Sequence, residues 1–310
     1  MPELPEVELM SRALERWTRG RRVSGLFQDD PTLGAAQGDR LVGQRVVGAR
    51  RRAKYLLLEL ERDALVLHLR LTGKVLALAA EGSPRPGCRL RLRFEDGQEP
   101  GQVALVDPRR LAQAWIVPAE HLCRWLEERA LGPEPWPERR DGAWWAAQLA
   151  GLTGPIKAAL LRQDRVAGLG NICASEALWR AGIHPGRPVG TLSAEEWSSL
   201  AQGVTDHVDQ VIAVEGPQLE RTGELAYVNQ GGPNPFQVYG RAGQACSRCG
   251  GTLQRAALAG RGTFWCPRCQ PAGAPPQPGG PAAAHPRRPD RRSKARTRSS
   301  SSSGSKGLGR

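Results

Sequence analysis

The chain carries Cys246-Ser247-Arg248-Cys249 and, after sixteen intervening residues, Cys266-Pro267-Arg268-Cys269. Each C-x2-C pair is a tight turn that aims two thiolates at one point, and two such pairs complete a tetrahedral shell without strain. All-thiolate coordination favours zinc in a closed structural site, and the second matched pair argues against a redox dithiol. The expected cofactor is therefore one structural Zn2+ on Cys246, Cys249, Cys266 and Cys269. The insert from Gly250 to Trp265 reads as a β-hairpin with Gly260-Arg261-Gly262 at its tip. Arg261 is then either a solvated turn residue or a probe that enters a nucleic-acid groove. The other cysteines, Cys88, Cys123 and Cys173, are scattered, which suits a reduced cytosolic protein rather than a disulfide framework.

Upstream of this module, 143–215 is helix-rich: a segment near 155–166, a Gly168-Leu169-Gly170 turn, then 171–182 and 193–214. The glycine turn opens a helix, where free backbone N–H groups bind phosphate and Asn171 can cap or donate. It follows no strand, so a dinucleotide fingerprint is rejected. Leu131-Gly132-Pro133-Glu134-Pro135 reads as a linker, and 119–129 as helical. From about 40 to 117 the texture is that of strands joined by Gly, Asp and Pro turns, with strict alternation over Arg89-Leu90-Arg91-Leu92-Arg93-Phe94. Such runs suggest a β-sandwich. Val7, Met10, Leu14 and Trp17 stand at helical spacing over 6–18 behind Glu3, Glu6 and Glu8, where carboxylates suit the helix dipole.

The 310 residues suffice for two or three domains; 40% are hydrophobic, with no unbroken apolar run of about eighteen, so no membrane span is expected. No charged-then-apolar leader opens the sequence, so secretion is not expected. Net charge is +13, but 271–310 hold nine Lys or Arg against one Asp, leaving only +5 for residues 1–270. The body permits a nucleic-acid partner without proving one. The last forty residues are Pro, Gly, Ala, Arg and Ser with almost nothing to bury, and are expected to be disordered.

Only five of 44 basic residues are Lys, three of them in the body: Lys54, Lys74 and Lys157. Lysine can titrate where arginine cannot. Lys54, in Arg51-Arg52-Ala53-Lys54-Tyr55-Leu56-Leu57-Leu58, could snorkel from an edge, hold a phosphate or move a proton. Near the N-terminus stands Pro2, a small residue that permits removal of Met1. A free proline nitrogen attacking an aldehyde-level carbon forms a cationic iminium, which acidifies the neighbouring carbon and promotes elimination, and Glu3 beside it can shuttle protons. Pro and Glu are equally ordinary first-turn helix residues. Asp107-Pro108-Arg109-Arg110-Leu111 sets two guanidinium groups beside an apolar side chain, which suits filling the hole left by an extruded base or a surface salt bridge.

Taken in order, Pro2-Glu3-Leu4-Pro5-Glu6-Val7-Glu8, Arg51 to Leu57, Asp107-Pro108-Arg109-Arg110, Leu131 to Pro135, Gly168 to Asn171, Ala181-Gly182-Ile183-His184-Pro185, Val238-Tyr239-Gly240-Arg241 and the four-cysteine finger with Gly262-Thr263-Phe264 resemble the formamidopyrimidine-DNA glycosylase family, relatives of endonuclease VIII. The resemblance spans about 2–270. It implies a multidomain α+β protein: an N-terminal catalytic β-sandwich with flanking helices over 2–130, a linker over 131–142, a helix–two-turn–helix DNA-binding domain over 143–240, a zinc-finger β-hairpin over 241–270 and a basic tail over 271–310. It makes Pro2 the Schiff-base nucleophile, Glu3 the proton donor in base release, Lys54 the proton donor for β-elimination, and Arg261 a phosphate-binding residue active in δ-elimination. It sets Asn171 at a phosphate-gripping turn and Arg109 in the duplex opposite the flipped lesion.

Departures from the family pattern are Leu71 for a wedge Met, Leu111 for a wedge Phe, no His near 86–89, and Cys173 for a Tyr. The implied activity is that of a bifunctional glycosylase and abasic-site lyase for oxidised purines in duplex DNA, favoured by Leu4, where the sister branch has Gly. The alternative is an endonuclease VIII-like preference for oxidised pyrimidines. A rival of another class, a catalytically silent DNA-binding protein, is disfavoured by Pro2, Glu3 and Lys54 standing together. The partner is damaged double-stranded DNA, with no membrane partner; the expected state is a monomer in the bacterial cytoplasm, associated with the nucleoid. The tail is either a solvated extension or a DNA-tethering arm that salt would weaken.

Overall fold

Helix α1 (Leu4–Thr18) follows from the spacing of Val7, Met10 and Leu14, which are buried on one face while Trp17 packs on the same core. Pro5 falls in the first turn, where a missing N–H is harmless, and the Glu3 N–H donates to Glu6 Oε2 at 2.8 Å. These positions come from a computed structural model, which describes residues 2–28, 30, 33, 38–83, 85–224 and 235–272. The expected tail from 273 onward, and the Pro/Gly-rich stretch as far as 234, lie outside the described residues.

Among the described residues eight strands follow: β1 (Val23–Gln28), β2 (Val46–Arg52), β3 (Tyr55–Leu60), β4 (Asp63–His68), β5 (Lys74–Leu78), β6 (Cys88–Phe94), β7 (Gln102–Val106) and β8 (Gln113–Pro118). They form two antiparallel sheets, ordered β1-β6-β7-β5 and β2-β3-β4-β8. Leu56, Leu58, Leu65 and Leu67 of one sheet meet Leu90, Leu92, Phe94 and Leu105 of the other, with the apolar face of α1 in the same core. The sandwich reading therefore holds. Its strict alternation fails at one residue. A register shift between Cys88 and Leu90 turns Arg89 inward, where it is 2% exposed with Nε 2.7 Å from Asp30 Oδ2.

The helical part contains α2 (Leu122–Glu127), α3 (Gly142–Gln148), α4 (Ile156–Leu160), α5 (Asn171–Ala181) and α6 (Ala194–Thr222), with a core of its own around Trp145, Leu160, Leu178 and Leu200. The segment expected over 155–166 is shorter than read. Gln163 takes over the local backbone, donating to the Leu161 and Leu169 carbonyls and accepting from the Gly168 N–H, so the chain turns instead of continuing. Conversely, α6 runs past the expected stop at 214 and through Pro217, because Leu219 is buried in the sandwich core. A reciprocal Ser193–Glu196 capping box starts it. The finger hairpin is β9 (Gln254–Leu258) and β10 (Arg261–Trp265). Its tip is Ala259-Gly260, both at positive φ, so Arg261 opens the second strand rather than sitting at the tip. No helix among the described residues is long and apolar enough to cross a membrane.

Candidate active site

Pro2 and Glu3 are buried where α1 meets the start of α5. The Glu3 carboxylate accepts from the Ile172 N–H on Oε1 at 3.0 Å and from the Cys173 N–H on Oε2 at 2.9 Å. It thereby satisfies two orphan donors of a helix N-terminus from a position far away in sequence. This corrects the reading of the glycine turn as a set of free phosphate-binding amides: those of Ile172 and Cys173 are occupied by Glu3. The glycines are still required, for a different reason. A Cβ on Gly170 would lie 2.2 Å from Glu3 Cδ, and one on Gly168, at φ +100°, would lie 2.8 Å from Leu4 Cδ1. The Leu4 N–H closes the contact by donating to the Gly168 carbonyl at 3.1 Å.

A cleft of about 720 Å³ opens over this floor, lined by Pro2, Lys54, His68, Leu71, Leu111, Asn171 and Arg261 among others. Lys54 occupies the two-residue turn between β2 and β3, beside Ala53 at φ +53°. The turn is fixed from the linker: Glu134 accepts from the Ala53 N–H at 2.8 Å and pairs with Arg51 and Arg52. Facing Lys54, the His68 ring meets Tyr55 edge-on at 5.0 Å, and its Nδ1 accepts from the Arg70 N–H. Burial, reinforced by the charges of Arg70 and Lys54, pushes His68 down to about 4, so it is neutral at physiological pH.

The finger closes the far wall. Asn171 Nδ2 donates to the Gly262 carbonyl at 2.9 Å, and Lys157 Nζ donates to that same carbonyl at 3.1 Å and to Thr263 Oγ1 at 2.8 Å. These contacts dock the hairpin on α4 and α5 so that the exposed Arg261 lines the cleft. Burial lowers Lys157 to about 8, helped by Arg261 and opposed by Glu3. Glu176 holds the approach to the finger, accepting from the N–H groups of Gln237, Val238 and Tyr239, each at 2.9 Å. The thiols of Cys246, Cys249, Cys266 and Cys269 all lie within 4.8 Å of one another, a spacing that fits four Zn–S bonds of about 2.3 Å around one ion.

On the opposite rim, Leu71 and Leu111 are 37% and 42% exposed, unusual for large apolar side chains standing at one cleft. One buried carboxylate anchors both. Asp107 accepts from the Leu111 and Ala112 N–H groups at 2.6 Å each and from the Thr72 hydroxyl beside Leu71. Arg109 sits on the same turn, exposed, but is not among the residues lining the cleft. Sequence alone assigns no role to His68, Glu134, Lys157 or Glu176. Glu134, Lys157 and Glu176 work through partners remote along the chain, and His68 through the fold that buries it against Tyr55; only the rarity of lysine points toward Lys157.

A two-sheet sandwich, a helical domain and a tetrathiolate finger around one basic cleft define a zinc-finger protein built to receive an extended anionic ligand. The formamidopyrimidine-DNA glycosylase N-terminal domain matches residues 1–114, the H2TH domain of the same enzymes matches 131–222, and the zinc finger found in FPG and IleRS matches 243–272. The formamidopyrimidine-DNA glycosylase of Streptococcus pneumoniae (strain R6) is 37% identical over 281 residues, covering 87% of this chain and 99% of its own. That of Geobacillus kaustophilus is 37% identical over 284 residues, covering 87% and 100%. Among solved structures, Lactococcus lactis Fpg with FAPY-dG-containing DNA superposes at a TM-score of 0.76 with 31% identity, covering 87% of this chain and 100% of that one. The chain belongs to the formamidopyrimidine-DNA glycosylase family.

Proposed function

We propose that the protein is a bifunctional DNA glycosylase and abasic-site lyase that excises oxidised purines from duplex DNA. The observation that carries this is the convergence of Pro2, Lys54 and Arg261 on one cleft, with Glu3 buried next to Pro2 and bound to the start of α5. After removal of Met1, the Pro2 nitrogen attacks C1′ of the damaged nucleotide, and Glu3 supplies the proton for base release. The resulting iminium drives elimination, with Lys54 delivering the β-elimination proton and Arg261 gripping the phosphate through δ-elimination. Asn171 holds a phosphate at the finger seam, and Leu71, Leu111 and Arg109 fill the gap left by the extruded base. Two leucines in place of a flexible thioether and an aromatic ring keep an apolar plug without stacking. The zinc on Cys246, Cys249, Cys266 and Cys269 is structural. The protein acts as a monomer in the bacterial cytoplasm, on nucleoid DNA.

Borohydride trapping on an abasic duplex tests the covalent chemistry: the expected result is a protein–DNA adduct, and correctly processed protein that forms none excludes it. Lesion class needs a separate assay, because Lactococcus lactis Fpg has been crystallised both with FAPY-dG-containing DNA and with oxidised-pyrimidine-containing DNA. Release from 8-oxoguanine duplexes is expected to outpace release from thymine glycol duplexes, and the reverse order overturns the purine assignment. Lys54→Ala is expected to slow strand nicking about a hundredfold through the lost proton donor. Its duplex affinity should stay within about tenfold, roughly 1.4 kcal/mol. An unchanged nicking rate would remove Lys54 from the mechanism.

A further inference from the structure

Arg70 is a cation that the chemistry above does not use. It lines the cleft immediately before Leu71, in the turn from β4 to β5, and its backbone is left-handed at φ +56°. Such a conformation is uncommon outside glycine, and it persists where the surroundings fix it, typically at functional sites. Here three contacts do so. The Gly73 N–H donates to the Leu69 carbonyl at 3.0 Å, the Thr72 hydroxyl donates to Asp107, and the Arg70 N–H donates to His68 Nδ1 at 3.2 Å.

The guanidinium is held across the rim by an uncharged group. Arg70 Nε and Nη2 both donate to Gln113 Oε1, the first at 3.1 Å. Gln113 lines the same cleft, two residues beyond Leu111 and opposite His68 in the β4–β8 register. Two of the five guanidinium N–H donors are thereby engaged. Among the described residues the remaining donors meet no acceptor, and no carboxylate pairs with the charge. Arg51 and Arg52, by contrast, are neutralised by Glu134. Gln113 thus orients Arg70 without cancelling its charge, and the edge left open, Nη1 with Nη2, offers two parallel N–H groups. That fork matches two oxygens of one phosphate, which answers its charge as well as its shape. A guanine edge matches the shape alone.

We infer that Arg70, oriented by Gln113, binds a backbone phosphate of the duplex beside the apolar plug of Leu71 and Leu111. The contact carries no sequence information; it fixes the register of the strand next to the side chains that fill the gap. Arg70 and Gln113 also tie together the two turns that carry Leu71 and Leu111, so the phosphate and the plug are held as one unit. This rests on the reading of the cleft as a site for duplex DNA.

The test is equilibrium binding of the full chain to a duplex carrying an uncleavable tetrahydrofuran abasic analogue, measured over a range of salt concentrations. Arg70→Gly removes the side chain and suits the left-handed backbone, so its Tm should not fall. Its affinity at low salt should drop about tenfold, and the slope of log K against log salt should shrink by about 0.9, the share of one phosphate. Gln113→Leu frees the guanidinium but keeps its charge, and should weaken binding about threefold with the slope retained. A second arm replaces the phosphates around the analogue, one at a time, by neutral methylphosphonates. At one position the replacement should weaken the wild-type protein about as much as Arg70→Gly does, and weaken Arg70→Gly no further. An unchanged affinity and slope in Arg70→Gly overturn the inference. So does a loss that varies with the neighbouring base pair while the slope stays put, which would make Arg70 a reader of bases. Wild-type protein without salt-dependent duplex binding would instead defeat the reading of the cleft, and the inference with it.

Discussion

Gly170→Ala is expected to abolish lesion excision while leaving most of the molecule folded. The added methyl would stand 2.2 Å from Glu3 Cδ and 2.3 Å from Glu3 Oε1. Neither side can retreat, because residue 170 caps α5 and Glu3 is tied to the Ile172 and Cys173 N–H groups and to Glu6. The carboxylate has to leave the helix end. Two charge-assisted hydrogen bonds are lost, each typically worth about 1.5–3 kcal/mol, so a net destabilisation of about 2–4 kcal/mol is expected after water recovers part of them. Catalysis should suffer more, because Glu3 is displaced from the place where the proposed mechanism has it give its proton: a fall of about 10²–10⁴-fold in single-turnover release of 8-oxoguanine. Gly154→Ala is the control, since its Cβ would meet nothing within 4 Å, and it should stay within about 0.5 kcal/mol of the parent. Full excision by Gly170→Ala would mean that Glu3 does not act from this position.

Loss of the zinc is expected to have a comparable effect through a different route. The finger has a small core, in which Cys246, Cys266, Val238 and Leu253 pack on Trp179, and the free energy of a structural zinc site, about 10–16 kcal/mol, exceeds anything so small a core supplies. In Cys266→Ser, or after chelation, the hairpin should unfold while the sandwich, whose core is separate, keeps its structure. Lys157 then loses both acceptors, Gly262 O and Thr263 Oγ1, Asn171 loses its own, and Arg261 leaves the cleft. Strand cleavage should drop about 10–100-fold, as when groups that orient a site are removed, in step with the zinc content. Stripped protein cleaving at the full rate would contradict both the fit of the metal and the role of the finger.

Burial of Glu6 on α1 and of Glu215 on α6 bears on stability. Both carboxyls are raised in the folded protein, Glu6 to about 7 and Glu215 to about 8, from an ordinary value of 4.5. The folded state therefore binds more protons than the unfolded chain from about pH 4.5 to 8, and the contribution of these two groups to stability falls as pH rises through that window. Two buried carboxyls thus cost the fold something at neutral pH, because burial disfavours their charged forms.

Much of this architecture was legible in the residues because its causes are local. The spacing of Val7, Met10 and Leu14 is enough to set α1, since helical periodicity is repeated within a few residues. The two C-x2-C pairs announce the finger because chelate geometry is encoded in two short turns. Pro2, Glu3, Lys54 and Arg261 could be picked out by chemistry and by motif order. What could not be read is which remote group satisfies each buried donor or acceptor. Glu3 capping α5, Glu134 clamping the Lys54 turn, Lys157 and Asn171 sharing the Gly262 carbonyl, and Arg89 turned inward by one bulge all depend on chain segments brought together from far apart. Desolvation makes such pairing obligatory, but packing alone selects the partner. Even the glycine turn illustrates the division: its residues predict a helix start with amides on offer, and only the folded molecule reveals that a carboxylate of its own accepts them.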